Sequence, residues 1–314
     1  MSTSSFWKQK QMALPQLDPR FEEYVREHPT ISYAQPDDPW LVKHFISSME
    51  VVFGRRKIES VYRKLKEGPF AIEDFFQAAF AATGIQPCYD DAKLAAIPKT
   101  GPLVFVANHP FGVIDGMALC DMAIKARGEF RILINAMLCQ DRDLAPYFLP
   151  IDFKPTKAAL KNNINANKVA QECLAKDIPI IIFPSGFVST ANKRGFGEVV
   201  DAPWSTFAAK LIRDAQATVV LVYFHGRNSR RFHLASHIAE PLRMALLLNE
   251  ALKQFGKEIK ADVGEPPLPW LKLSEFTTRQ TLTDFLYQKV QDLAPMTNET
   301  NQATKKKRFL RRIG

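Results

Sequence analysis

Ile97-Pro98-Lys99-Thr100-Gly101-Pro102-Leu103-Val104-Phe105-Val106-Ala107-Asn108-His109-Pro110-Phe111-Gly112-Val113-Ile114-Asp115-Gly116 is the stretch that decides the fold. It opens on a turn, because proline and glycine punctuate residues 97–102. Leu103 to Ala107 are all apolar, which marks a strand buried on both faces rather than a half-exposed one. A helix is expected from Gly116 to Ala126. A strand buried on both faces needs helices above and below it, so this segment predicts a covered α/β sheet.

The same texture continues downstream. Arg131–Asn135 reads as a strand, Lys157–Lys176 as a long helix and Ile178–Phe183 as a second apolar strand. Trp204–Ala215 is a helix, Thr218–Phe224 a strand, Ile259–Val263 a last short strand, and 276–292 a helix with Phe276, Leu282, Phe285, Leu286 and Val290 inward. The expected class is α/β, a mixed sheet flanked by helices on both faces. Upstream, apolar residues recur every three or four positions between Trp40 and Lys66, with Gly54 dividing two helices; a third covers Ile72–Ala82. The expected organisation is a flexible arm at 1–20, a helical N-terminal region at 21–95, the α/β domain at 96–270, a C-terminal helix at 271–297, and a polar linker with a basic tail at 298–314.

Composition narrows the class. The chain has 314 residues, 46% hydrophobic and 24% charged, which is globular and long enough to bury a core without disulfides. Cys88, Cys120, Cys139 and Cys173 form no Cys-x-x-Cys pair and read as reduced thiols. The first ten residues lack an apolar run of signal-peptide length, and no apolar stretch is long enough to span a bilayer. Net charge is +9, yet residues 305–312 hold six basic residues, and removing those leaves +3. The basicity belongs largely to the tail and points to an anionic surface.

Three strand-end segments carry candidate chemistry. In the first, His109 follows its strand by two residues and Asp115 lies six further on, near a helix start that favours a carboxylate. Asp115 could fix one imidazole nitrogen and leave the other as a base. Gly112 and Gly116 allow close approach. On spacing alone, the pair also fits a helix cap and an ordinary loop histidine. The second segment, Phe183-Pro184-Ser185-Gly186-Phe187-Val188-Ser189-Thr190, offers backbone amides and hydroxyls for an anion or oxyanion, or is an ordinary turn. A nucleophilic Ser185 is disfavoured, because no Gly-x-Ser-x-Gly elbow surrounds it. The third, Phe224-His225-Gly226-Arg227-Asn228-Ser229-Arg230-Arg231, is a phosphate or carboxylate clamp, which Lys193 and Arg194 could join, or a solvated basic loop. His233 and His237 sit at i, i+4 but have no third metal ligand in the sequence nearby.

Taken in order, these segments resemble the glycerophospholipid acyltransferase superfamily, and most of all its bacterial hemolysin-like or ornithine-lipid acyltransferase branch. The resemblance runs from about Trp40 to Gly264. Asn108-His109-Pro110-x-Gly112 and Gly226-Arg227-Asn228-Ser229 are its specific blocks, and Phe183-Pro184-Ser185-Gly186 is a weaker one. It implies a His–Asp dyad with no metal and no cofactor beyond the co-substrate, with His109 as general base and Asp115 as its orienting partner. The implied donor is a thioester of coenzyme A or acyl carrier protein. The implied acceptor is a lysophospholipid or lyso-ornithine-type lipid. Asn108, Gly112, Ser185, Gly186, Arg194, Arg227 and Asn228 are the candidate substrate-binding residues.

Two departures stand out. Five residues separate His109 from Asp115, where the superfamily usually has four, and Ser185 replaces the usual glutamate of the second block. That glutamate's role, and that of the arginine behind it, do not carry over. A thioester or lipid hydrolase using the same dyad, and a catalytically altered lipid-binding protein, are the alternative readings. An enzyme acting on lipid needs a membrane, and Lys305, Lys306, Lys307, Arg308, Arg311 and Arg312 would each contribute roughly 1 kcal/mol near an anionic leaflet. Phe309, Leu310 and Ile313 would dip into the interface. The expected location is cytoplasmic, peripheral on the inner face of the membrane. No nucleic-acid partner is expected, since no aromatic residues interleave the basic ones to stack on bases.

Overall fold

The fold is built outward from one apolar strand that lies between two others. The computed structural model describes residues 15–294 apart from 30, 31, 33, 35–38, 68–70, 193 and 239. Three helices come first: α1 (Trp40–Val52), α2 (Arg55–Leu65) and α3 (Ile72–Thr83), with Gly54 at the break. Then follow β1 (Gln86–Cys88), α4 (Asp91–Ala95), β2 (Leu103–Ala107), α5 (Val113–Arg127), β3 (Arg131–Asn135) and β4 (Phe148–Ile151). The second half holds α6 (Lys157–Leu174), β5 (Ile180–Ile182), α7 (Phe207–Ala215), β6 (Thr218–Phe224), α8 (Arg230–Ser236), α9 (Glu240–Lys253) and β7 (Glu258–Val263). It closes with α10 (Trp270–Leu273) and α11 (Arg279–Asp292).

The seven strands form one mixed sheet in the order β1-β7-β6-β2-β5-β3-β4. From β6 to β4 all neighbours are parallel; β7 joins β6 antiparallel, and β1 pairs parallel to β7. β2 is buried along its whole length, and its side chains alternate between two cores as the strand period requires. Leu103, Phe105 and Ala107 meet α3 and α5 on one face, packing with Phe76, Phe80 and Leu119. Val104 and Val106 meet α6, α7 and α11 on the other, packing with Val169, Leu211 and Leu286. A smaller apolar cluster of Val188, Phe232, Leu246, Leu247 and Leu248 ties α8 and α9 to the loop after β5.

The α/β sheet with helices on both faces is as expected from sequence. Its two edge strands were not expected. Both contain a proline, Pro87 in β1 and Pro150 in β4, and a proline argues against a central strand. At an edge the missing N–H faces no neighbour, so the fold accepts it. The helices α4, α8 and α9 were also unassigned, and α5 begins three residues earlier than expected, at Val113. Of the expected flexible arm, residues 15–20 are described. Leu17 packs against the α6-side core, and Arg20 bridges Asp18 and Glu172 of α6. The basic tail, 305–312, lies outside the described residues. Among the described residues no helix is long and apolar enough to cross a membrane.

The strand order has a direct functional consequence. β6, β2 and β5 are adjacent and parallel, so the three candidate loops leave the same end of the sheet side by side. Segments far apart in sequence thus meet over the end of β2, the kind of strand-end crevice where open α/β sheets bind ligands.

Candidate active site

Asn108 is the first residue past β2, and its side chain extends the sheet. Its Nδ2 donates to the Phe224 carbonyl at 3.0 Å, and its Oδ1 accepts from the Phe224 amide at 2.7 Å. A primary amide mimics a peptide unit, so it carries the β2–β6 ladder one step beyond Ala107. Asn108 therefore locks the first loop to the third.

The chain then turns at Pro110-Phe111-Gly112. Gly112 has φ +91° and precedes α5. The turn aims two backbone amides inward, and the fully buried Asp115 accepts both on Oδ2, from Phe111 at 2.8 Å and Gly112 at 3.0 Å. Asp115 is thus the third residue of the helix, and its carboxyl also caps the helix start by accepting the amide of Gly112, the N-cap residue. The same oxygen lies 3.2 Å from His109 Nδ1. The contact is close but off-axis, and Nδ1 makes no aligned hydrogen bond among the described residues. Such pairs often align only when substrate binds. The His109 side chain keeps 17% of its surface exposed and stacks on Phe183, with centroids 4.0 Å apart. Burial pushes the Asp115 carboxyl above the ordinary carboxylate range; His109 and the two amides pull the other way without cancelling the shift.

The second loop holds the His109 backbone at both ends. Ser189 N–H donates to the His109 carbonyl at 2.8 Å, and His109 N–H donates to Asp201 Oδ1 at 3.3 Å. Asp201 also accepts from the Ser189 hydroxyl and, on Oδ2, from Trp204 Nε1 at 2.8 Å. Asp201 and Trp204 escaped the sequence reading: a single aspartate in a loop carries no pattern. The Ser185 hydroxyl donates to the Phe187 carbonyl at 2.9 Å. Gly186 faces the Phe153 ring, where an added Cβ would lie 3.0 Å from Cε1.

The third loop packs onto the first. Gly226 has φ +123°, and an added Cβ would lie 2.3 Å from the Phe111 ring, so no other residue fits without moving it. Arg227 is exposed, and its guanidinium donates to the Gly197 and Gly195 carbonyls at 3.2 and 3.3 Å. Asn228 is buried, and neither side-chain atom has a hydrogen-bond partner among the described residues. Glu250, also buried, accepts from both the amide and the hydroxyl of Ser229. His233 and His237 bracket Ala191, the first accepting its amide and the second donating to its carbonyl. Arg194 is exposed on the loop that Arg227 holds, and Lys193 lies outside the described residues.

A buried carboxylate beside a partly exposed imidazole suits proton removal from a hydroxyl. Known proteins share much of this chain. A family profile described as "Acyltransferase" matches residues 40–293. A lyso-glycine lipid O-acyltransferase from Phocaeicola vulgatus is 32% identical over 201 residues, covering 62% of this chain and 68% of that protein. Its namesake from Bacteroides thetaiotaomicron is 34% identical over 182 residues, covering 55% and 63%. Among solved structures, the 1-acyl-sn-glycerophosphate acyltransferase PlsC of Thermotoga maritima matches at 16% identity with a TM-score of 0.45, over 82% of this chain and 91% of that one.

Substitutions at two positions test this geometry. A carboxyl whose pKa folding raises favours the folded state only while protonated. Its contribution is present below the ordinary aspartate range and is lost as pH rises through the raised value. Asp115→Asn stays neutral and keeps an acceptor for both amides. It should match wild type in melting temperature near about pH 4 and exceed it near about pH 8. A gap independent of pH counts against a raised Asp115. Asp201→Ala strands three donors and should lower stability by about 2–4 kcal/mol in denaturant titration, only part of it recovered in Asp201→Asn, whose amide nitrogen would face the Trp204 Nε1–H donor.

Proposed function

Since this chain belongs to an acyltransferase family whose profile spans residues 40–293, we propose that it moves a fatty acyl chain from a thioester donor to the hydroxyl of a lysolipid. The observation that carries this reading is the approach of His109 Nδ1 to the buried Asp115 carboxyl, 3.2 Å, where three strand-end loops meet. His109 Nε2 takes the proton of the acceptor hydroxyl as its oxygen attacks the thioester carbonyl carbon. Asp115 holds the ring and stabilises the imidazolium that forms. The C–S bond then breaks, and the thiolate leaves with the proton from His109. The acyl group passes directly to the acceptor, with no covalent enzyme intermediate, metal or prosthetic group.

The donor is a thioester of coenzyme A or acyl carrier protein. The acceptor is a lysophospholipid or a lyso lipid with an amino-acid head group, of the ornithine kind. Two relatives carry lyso-glycine lipid in their names, which makes amino-acid head groups the acceptors to try first. In this reading Gly112 lets the first loop pack close against Val188 and Leu247 beneath the acyl carbonyl, and Gly186 and Ser185 shape the opposite wall. Asn228 meets the head group, since it is buried and has no side-chain partner among the described residues. Arg194 supplies charge at the rim, while Asn108 and Arg227 hold the loops. The protein works as a peripheral enzyme on the cytoplasmic leaflet, helped by the basic residues 305–312.

His109→Ala should lower acyl transfer by about 10²- to 10⁴-fold with the melting temperature retained. Asp115→Asn should fall in the same direction. An assay that resolves free fatty acid from acylated acceptor separates transfer from hydrolysis. Wild-type turnover in the His109 variant would refute the role of the dyad.

A further inference from the structure

The site end of the sheet carries an unusual surface. Exposed large apolar residues lie on segments that leave the C-terminal ends of the parallel strands: Val113 after β2, Phe153 after β4, Phe187 after β5. Two more, Leu160 and Ile164, sit in the first turns of α6, which follows β4 at that same end, and are 62% and 48% exposed. One exposed leucine needs no explanation, but a set gathered around a candidate site does.

The outer face of α6 is both apolar and basic. Ala159, Asn162, Ala166, Val169 and Ala170 form its buried side. The opposite side presents Lys157, Leu160, Lys161, Ile164 and Lys168, all exposed. The helix contains one carboxylate, Glu172, which lies near its far end and is bonded to Arg20 at 2.9 Å. Alternating aliphatic and lysine side chains without acid suit a helix lying in a bilayer interface, where stems sink and ammonium groups meet head groups.

Phe153, in the connection between β4 and α6, links the start of this helix to the second loop. The Phe153 ring packs against Phe187 with centroids 5.3 Å apart, and Phe153 covers Gly186 of the second loop. Arg243 lies over the other ring, 5.5 Å from the Phe187 centroid.

We propose that the outer face of α6, with Phe153 and Phe187, docks this protein on an anionic bilayer so that the mouth of the site opens into the lipid interface. The inference rests on the lysolipid reading for its purpose, but its evidence is the surface itself. The occupant is a bilayer rather than an acidic protein because aliphatic and aromatic side chains stand between the lysines. An acidic partner would satisfy the lysines and leave those apolar groups in water.

Co-sedimentation of the full chain with vesicles tests this. Phosphatidylcholine vesicles with and without phosphatidylglycerol are the probes. Wild type should partition more strongly onto the anionic set. Leu160→Glu/Ile164→Glu should lower partition at least about tenfold, and Lys157→Glu/Lys161→Glu should abolish the preference for phosphatidylglycerol. All four positions are exposed, so melting temperature should hold. Acylation of a vesicle-borne acceptor should fall with partition, while acylation of a monomeric short-chain acceptor should not.

Wild-type partition in both α6 variants would overturn the proposal. So would loss of binding only in Trp40→Glu/Phe45→Glu, whose exposed residues lie on α1, or loss of acyl carrier protein binding with vesicle binding intact. Partition is read without turnover, so a chain that docks through α6 but transfers no acyl group would sink the proposed reaction and leave the docking face standing.

Discussion

A buried carboxylate organises this protein. Asp115 has no exposed surface, so water cannot solvate it and its donors must come from the chain. Two are the amides of Phe111 and Gly112, which can converge on one oxygen only because Gly112 takes a left-handed turn before α5. That turn throws the Phe111 ring onto Gly226, where no Cβ is tolerated. The need to satisfy one acid thus fixes the first loop and, through Phe111, the third. The longer spacing between His109 and Asp115 is absorbed here: the acid enters α5 at its third position and reaches back.

The remaining polar residues mostly hold the loops together. Asn108 binds the Phe224 backbone, Arg227 binds the Gly195 and Gly197 carbonyls, and Ser185 binds its neighbour's carbonyl. Asp201 secures His109 N–H, Ser189 and Trp204 at once. The imidazole therefore sits on a backbone fixed at its amide and its carbonyl, with a ring stacked on one face. Positioning of this kind is what makes a general base effective, because little reorganisation remains when substrate arrives. Asn228 differs: it is buried, and among the described residues both its side-chain atoms lack a partner, as does Asp115 Oδ1; such groups call for a ligand or water.

The sequence made the central strands legible because β2 and β6 are unbroken apolar runs, and burial on both faces leaves few other choices. β1 and β4 were hidden by Pro87 and Pro150, since the edge position that excuses a proline is a property of the finished sheet. His109 and Asp115 were visible through spacing after a strand, although spacing could not say whether the acid caps the helix or reaches back into the turn. Asp201 was invisible. Its importance comes from β5 lying beside β2, which brings a residue 92 positions away to the His109 amide. Arginine and asparagine in the third loop looked like ligand binders by residue type, and only the structure separates Arg227, engaged on carbonyls, from Asn228, whose side chain has no partner among the described residues.

Docking and chemistry make demands on the same end of the sheet. A thioester at an open site is exposed to water, which competes with the acceptor hydroxyl for the same base. His109 is shielded by Phe183 on one face but keeps a solvent-facing edge. A bilayer held against Phe153, Phe187 and α6 would cover that edge with lipid, exclude water, and strengthen the pull of Asp115 on the imidazolium by lowering the local dielectric. It would also deliver the acceptor already oriented, head group outward. In the proposed reaction, the apolar rim that leaves the free protein with exposed surface would then favour transfer to the acceptor over loss of the acyl group to water.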